Sequence, residues 1–143
     1  MSYADVKRRL DAGEVVILDG ATGTELQRRG VEMSPEAWCG PATLNNGELL
    51  TQIHLDYIHA GSDVITTNTY AANSMMLTPA GYGEKVKDIV KTAVDAALRA
   101  RDKAPDGRNV VVGGSLSHMV PHIAGTDLVD PDRTPPPAQM AES

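Results

Sequence analysis

The sequence predicts an α/β protein built around a parallel sheet. Three short runs, residues 15–19, 63–67 and 110–114, are rich in Val and Ile. The first and last are continuous apolar runs, which is typical of strands covered on both faces. The stretches between them are long enough for crossover helices. The order β-α-β-α-β fits both an open doubly wound sheet and an eight-fold βα barrel, and in both the chemistry lies beyond the carboxyl ends of the strands.

Helices are predicted before, between and after these strands. A short amphipathic helix over residues 3–10 is closed by Gly13, and a helical turn over residues 24–29 stops at Gly30. Asn45 or Asn46 can cap a helix that runs to residue 60. The buried stripe of this helix is predicted to consist of Leu50, Ile53, Tyr57 and Ile58.

The clearest periodicity in the sequence follows the second strand. Apolar residues recur there at the spacing of a helix of about five turns. They are Val86, Ile89, Val90, Ala93, Val94, Ala97 and Leu98. Residues 31–45 and 116–137 are predicted to be loops, and residues 138–143 the first turns of another helix.

Composition and charge exclude several classes of protein. The 143 residues carry 19 acidic and 13 basic side chains, a net charge of −6, which does not suit a nucleic-acid-binding surface. No window approaches the ~18 unbroken apolar residues of a membrane span, and the first ten residues show no export signal. We therefore expect a cytoplasmic protein without nucleic-acid or membrane partners. Cys39 is the only cysteine, which excludes an internal disulfide.

Polar residues follow the predicted strands at the expected position of a site. Asp19, with Gly20 and Ala21 after it, offers a carboxylate beside backbone N–H donors, which suits the ammonium and carboxylate groups of an amino acid. Alternatively, Asp19 caps the next helical turn, and Gly20 and Gly23 only permit a tight turn. Asn68 and Thr69 supply neutral donors and acceptors at the same rim, or satisfy loop backbone. The glycine spacing is not that of a phosphate loop.

The histidines do not form an evident metal site. His54 and His59 are five residues apart on a predicted helix and point to different faces. His118 and His122 have the right spacing, but Pro121 opposes a regular helix there, so they are better interpreted as polar loop residues. Cys39 is interpreted as a small packed residue rather than a nucleophile.

Three segments of the sequence are distinctive: LDGATGTELQRRG from Leu18, IHLDYIHAGSDVITTNTYAAN over residues 53–73, and VVVGGSLS over residues 110–117. Together they resemble the amino-terminal half of the homocysteine S-methyltransferase family. The resemblance runs from residue 15 to 137, and the combination of DGATGTEL with AGSDVITTNTY is specific. The family includes enzymes that use S-methylmethionine or betaine, and the homocysteine module of cobalamin-dependent methionine synthase.

The resemblance implies an enzyme that transfers a methyl group from a donor to homocysteine, giving methionine. In the implied zinc-containing βα barrel, the metal lowers the pKa of the homocysteine thiol so that a thiolate exists at neutral pH. Asp19 matches the family aspartate that helps to hold the homocysteine amino group, and Gly20 and Ala21 lie in the turn beside the homocysteine carboxylate. Asn68 and Thr69 match the family's polar motif at the end of the second strand.

The sequence departs from the family in its zinc ligands. These are three cysteines in the family, two of them adjacent, and Cys39 does not occupy a matching position. About three of eight βα units are present, against ~250 residues in a complete barrel. We therefore predict that residues 1–143 are the amino-terminal part of the domain, a partial TIM (β/α)8 barrel. Zinc is expected in the complete enzyme, whereas this chain alone is expected to bind no zinc and to be inactive.

Two other functions remain open at this point, as does the methyl donor. In the first alternative, the chain is a non-catalytic half-barrel that serves as a binding or assembly module. In the second, it is a small doubly wound domain of unrelated function. For a barrel we predict that the three strands are adjacent, parallel and in the order 1-2-3. Their open edges also predict self-association.

Overall fold

A computed structural model describes residues 2–105, 108–117, 120–123, 126, 128–134 and 136–140. These residues form an α/β fold in which helices precede, separate and follow short parallel strands. The elements in chain order are α1 (Tyr3–Asp11), α2 (Thr22–Arg28), α3 (Gly47–Ala60), β1 (Val64–Thr66), α4 (Ser74–Leu77), α5 (Val86–Asp102), β2 (Val111–Gly113) and α6 (Pro137–Met140). Short 3-10 helices lie at Pro41–Asn45 and Gly83–Lys85.

The sheet has the predicted order. β1 pairs with β2 in parallel, with Val64 opposite Val111. On the other side of β1, Leu18 makes a parallel bridge to Val64, and the Asp19 amide donates to the Val64 carbonyl at 2.9 Å. The prediction of three adjacent parallel segments in the order 1-2-3 is therefore confirmed. Within the described residues, the sheet consists of two strands and one bridged segment and does not close into a barrel.

The predicted burial of the first segment is wrong. Val15 is 77% exposed, Ile17 51% and Leu18 63%, although the sequence predicts a strand covered on both faces. The physical reason is position in the sheet: residues 15–19 pair with β1 along one side only, and the described elements leave their large apolar side chains exposed. We refer to residues 15–19 as the edge segment.

Helices α3 and α5 pack against each other and form most of the core. Leu50 and Ile53 of α3 contact Ala93 and Ala96 of α5. Alanines at the contact positions of α5 allow the two helices to approach closely. Further along, Ala97 and Ala100 of α5 pack against Ile58, Ile65 and Val110, which joins the helix pair to the sheet.

The helix boundaries agree with the prediction, apart from local differences at the starts of α2 and α3. Gly13, Gly30 and Gly61 adopt positive φ after α1, α2 and α3, as expected. Asn46 precedes α3, but its side chain does not cap the helix; it donates to the Ala42 carbonyl at 2.7 Å. The helical turn predicted from residue 24 begins at residue 22.

The predicted loops contain some ordered structure. Residues 31–45 include a Ser34–Trp38 bridge and a 3-10 helix, and residues 116–137 include an antiparallel bridge from His122 to Val129. α6 begins at Pro137, a residue type favoured in the first turn. Residues 141–143, at the end of the predicted last helix, lie outside the described residues. Across the described chain, no helix is long and apolar enough to cross a membrane.

Candidate functional site

A cleft of about 370 Å³ lies at the carboxyl ends of the three parallel segments. Asp19 ends the edge segment and Asn68 follows β1, so side chains far apart in sequence meet here. Gly20 and Ala21 also line the cleft. Four of the five predicted site residues are therefore together.

Thr69, the fifth predicted residue, does not line this cleft. Its Oγ1 lies 2.9 Å from Thr67 Oγ1 and donates to the Ser115 carbonyl at 2.6 Å. These contacts tie the end of β1 to the segment that follows β2. In this structure, Thr69 therefore positions loop backbone, which is the alternative that the sequence left open.

The Asp19 carboxylate is an acceptor at the base of the cleft. Its Oδ2 accepts from the Thr66 amide at 2.8 Å and its Oδ1 from the Thr66 hydroxyl at 2.9 Å. The side chain is only 2% exposed, and this burial raises the pKa of Asp19 while the hydrogen bonds from Thr66 oppose the shift. Asp19 thus bonds to the neighbouring strand and does not cap α2, whose preceding residue Ala21 makes no side-chain cap.

His54, whose spacing from His59 excludes a shared metal ion, lies next to Asp19. Its Nδ1 is 3.9 Å from Asp19 Oδ2, and its side chain is fully buried. His59 of the same helix is exposed, so the prediction that the two histidines face different ways is confirmed. One signal could have located His54: it lies midway between Leu50 and Ile58 at four-residue spacing, on the predicted buried stripe.

The Asn68 side chain joins three segments behind the cleft. Its Oδ1 accepts from Thr22 Oγ1 at 3.0 Å and from Cys39 Sγ at 3.5 Å, and its Nδ2 donates to Thr43 Oγ1 at 3.0 Å. Because Asn68 is buried, these bonds satisfy an amide that would otherwise be costly to desolvate. Asn68 therefore holds the start of α2 and the Cys39–Thr43 region against the sheet.

Cys39 is a packed residue, as predicted. It is buried, and burial raises the pKa of its thiol to about 11. A thiol of this kind is neutral near pH 7 and is a poor nucleophile.

Close packing accounts for Gly20, in the turn, and for Gly23, in the first turn of α2. A Cβ on Gly23 would lie 2.8 Å from Cys39 Sγ, and one on Gly20 would lie 2.8 Å from the Tyr57 hydroxyl. Neither glycine adopts a positive φ. The interpretation that they serve only to permit a tight turn is therefore wrong; they leave room for side chains that approach from other segments.

The described residues do not suit a zinc ion. No three His, Cys, Asp or Glu side chains among them are grouped as metal ligands. The Cys39 thiol favours its protonated form, and His54 is enclosed under the cleft. His118, one member of the loop pair considered above, lies outside the described residues, so the structure does not test that pair.

Fold and site together define an α/β protein in which Asp19 and Asn68 line a cleft at the carboxyl ends of parallel strands. The family model described as Homocysteine S-methyltransferase matches residues 16–138. The chain is 30% identical over 125 residues to a homocysteine S-methyltransferase from Escherichia coli (strain K12), and 33% identical over 101 residues to a selenocysteine Se-methyltransferase from Brassica oleracea var. italica. The chain therefore belongs to the homocysteine S-methyltransferase family.

A solved structure of a homocysteine methyltransferase is also similar to the chain. The metallated form of the homocysteine methyltransferase MmuM from Escherichia coli matches 76% of the chain and 40% of its own length, with a TM-score of 0.65 and 30% identity. The two curated relatives are covered over 39% and 29% of their lengths, while the matches take in 80% and 67% of this chain. The chain thus spans about two fifths or less of these relatives.

Proposed function

We propose that the complete protein is a homocysteine S-methyltransferase, which transfers a methyl group from an S-methyl or related donor to L-homocysteine and forms methionine. We further propose that the complete domain is a βα barrel, of which residues 1–143 are the amino-terminal part. The observation that carries the proposal is that Asp19 and Asn68, in a chain of this family, line one cleft from two different strand ends.

In this proposal, Asp19 receives the ammonium group of homocysteine. Each carboxylate oxygen accepts one bond from Thr66 and keeps capacity for another. A carboxylate that is fixed in advance and shielded from water makes a strong charge-assisted hydrogen bond to an ammonium group. The substrate must reach the base of the cleft, because the Asp19 side chain is almost fully buried.

We assign the homocysteine carboxylate to the turn at Gly20 and Ala21. This turn lines the same cleft as Asp19, so an amino acid whose ammonium group meets Asp19 can place its carboxylate beside the turn. Asn68 keeps α2 in place through Thr22. Of the described residues, only Thr43 accepts from Asn68 Nδ2, which leaves this amide a second hydrogen for a substrate oxygen.

Zinc is not assigned to this part of the chain. Because the family resemblance implies three cysteine ligands and this sequence has one cysteine, we propose that the zinc ligands are residues outside this sequence. The role of residues 1–143 is then to bind and orient the amino acid and to shield it from water.

The test is methionine formation by the protein from its complete reading frame, with homocysteine and S-methylmethionine. Asp19→Ala should raise the homocysteine KM and lower kcat/KM about 10- to 100-fold, since a hydrogen bond to a charged group contributes roughly 1.5–3 kcal/mol. Asp88→Ala, on the exposed start of α5, is the matched control and should leave the kinetics unchanged. Unaltered kinetics in Asp19→Ala would reject the assigned role.

A non-catalytic binding or assembly module is a second candidate function. The observation that favours it is the exposed apolar edge segment, which pairs with β1 only along one side. An exposed edge of this kind is a template for pairing with another chain. A stable complex between this chain and a second polypeptide, without methyl transfer by the assembly, would favour this function over the enzyme.

A further inference from the structure

His54 is a buried polar side chain that the assigned roles do not use. Its ring is fully buried, and neither Nδ1 nor Nε2 has a hydrogen-bond partner among the described residues. A buried polar group without a partner is costly, so apolar residues would be expected at this position of the α3 stripe. An imidazole here calls for a reason in addition to packing.

The Asp19 carboxylate lies close to the His54 ring, just beyond hydrogen-bonding distance. His54 Nδ1 lies 3.9 Å from Asp19 Oδ2, about 1 Å longer than an ordinary N–H···O bond. Hydrogen bonds at binding sites are often long in the absence of ligand and shorten when it binds. Because Thr66 already holds both carboxylate oxygens from the β1 side, a donor from α3 would fix the carboxylate from a second direction.

Near pH 7 the His54 ring is a hydrogen-bond donor that carries no charge. Burial lowers the pKa of His54 to about 4, so the imidazole is neutral near pH 7 and carries one N–H. A neutral donor steadies the carboxylate without competing with a substrate ammonium group for its negative charge. Because an ionised carboxylate only accepts hydrogen bonds, the hydrogen must be on Nδ1.

We infer that His54 is a positioning residue for amino-acid binding: its Nδ1–H holds Asp19 Oδ2 so that the carboxylate meets the substrate ammonium group. This inference rests on the proposed function, in which Asp19 receives that group. It assigns His54 no contact with the substrate and no proton transfer.

Three substitutions separate positioning from packing. In His54→Asn the side-chain amide nitrogen occupies roughly the place of Nδ1, whereas in His54→Gln it lies near the place of Nε2. His54→Leu fills the space without a donor. All three would be made in the complete metal-loaded enzyme, together with His59→Gln as a control on the exposed face of α3.

The expected result is a change confined to homocysteine binding. His54→Leu and His54→Gln should raise the homocysteine KM about tenfold, the size expected for loss of one hydrogen bond to a charged group, while His54→Asn should raise it less than about threefold. kcat and the KM for S-methylmethionine should change less than about twofold. Equal effects of Asn, Gln and Leu, or an unchanged homocysteine KM in His54→Leu, would overturn the inference.

Asp19→Asn, measured alongside, distinguishes this failure from failure of the proposed function. If Asp19→Asn raises the homocysteine KM and the His54 variants do not, only the positioning role is rejected. If Asp19→Asn has no effect, the proposed role of Asp19 fails, and the inference about His54 fails with it.

Nitrogen-15 spectra of the complete wild-type enzyme make the test independent of variant folding. The His54 resonances, assigned by their loss in whichever His54 variant folds, should be those of a neutral ring protonated at Nδ1. The Nδ1 signal should shift on addition of homocysteine. A ring protonated at Nε2, or a signal that homocysteine does not move, would overturn the inference.

Discussion

Arg9 and Asp63 join helix α1 to the sheet. Arg9 Nη1 lies 3.1 Å from Asp63 Oδ1, and Arg9 Nη2 donates to the Val15 carbonyl at 2.9 Å. Asp63 Oδ2 also accepts from the Ile17 amide at 3.0 Å. Because α1 contains no fully buried residue, these polar contacts have a large share in holding it in place.

Arg9→Ala is therefore predicted to detach α1 while the α3–α5 core remains folded. Amide hydrogen exchange within α1 should become faster, with little change in α3 and α5. Arg8→Ala is the matched control, because Arg8 is highly exposed and, among the described residues, forms an ion pair only with Asp5 of its own helix. Equal exchange rates in the two variants would show that Arg9 does not hold the helix.

The free energy of unfolding is predicted to decrease as the pH is lowered below neutral, because His54 is buried in the folded chain. The pKa of His54 is lowered by burial from 6.5 to about 4, so between these values the unfolded chain binds the proton and the folded chain does not. Stability is therefore lost as the pH falls through this window, by roughly 2 kcal/mol between pH 7 and pH 5. Urea unfolding at the two pH values measures the loss.

His54→Asn should remove this contribution, whereas His59→Gln should retain it. The comparison with His54→Asn is needed because the raised pKa of Asp19 changes stability in the opposite direction with pH. A pH dependence that is the same with and without His54 would contradict the prediction.

Patterns among residues close together in the sequence were enough to predict a long helix and the two strands. The seven-residue apolar series from Val86 predicted α5, and Val and Ile runs predicted β1 and β2 in the right order. Exposure of the edge segment could not be obtained in this way. Whether Val15 and Ile17 are covered depends on what packs against them, which their own sequence does not specify.

The same limit applies to the site. The position of Asp19 after an apolar run placed it at the cleft, but Thr66, which binds its carboxylate, is 47 residues away in sequence. The need for Gly23 likewise comes from Cys39, a residue in a different segment. Sequence spacing thus located the cleft, whereas the partners of each side chain required tertiary structure.

Gly40→Ala is predicted to destabilise the protein. Gly40 has an ordinary helical conformation, but a Cβ there would lie 2.5 Å from the Ala71 carbonyl oxygen, a backbone atom that cannot move alone. Overpacking of this kind costs about 1–3 kcal/mol in the free energy of unfolding. Urea unfolding measures it, with Gly114→Ala as control, because a Cβ on Gly114 meets nothing within 4 Å. Similar unfolding midpoints for the two variants would contradict the prediction.

The 143-residue chain is predicted to self-associate through the edge segment. The segment exposes Val15, Ile17 and Leu18 beside a backbone edge that β1 does not use. A second copy that pairs there would bury these side chains, and each large apolar side chain contributes roughly 1.5–3 kcal/mol when fully buried. Sedimentation should therefore show a mass that rises with protein concentration.

A lysine in the edge segment should oppose this pairing, because a charge on an edge strand must be desolvated when another chain pairs with it. Ile17→Lys is expected to raise the dissociation constant at least about tenfold, which corresponds to 1.4 kcal/mol. Leu10→Lys is the matched control, since Leu10 is also an exposed apolar residue but belongs to α1 and not to the edge segment. A chain that stays monomeric at every concentration, or one that both lysines affect equally, would exclude association through the edge segment.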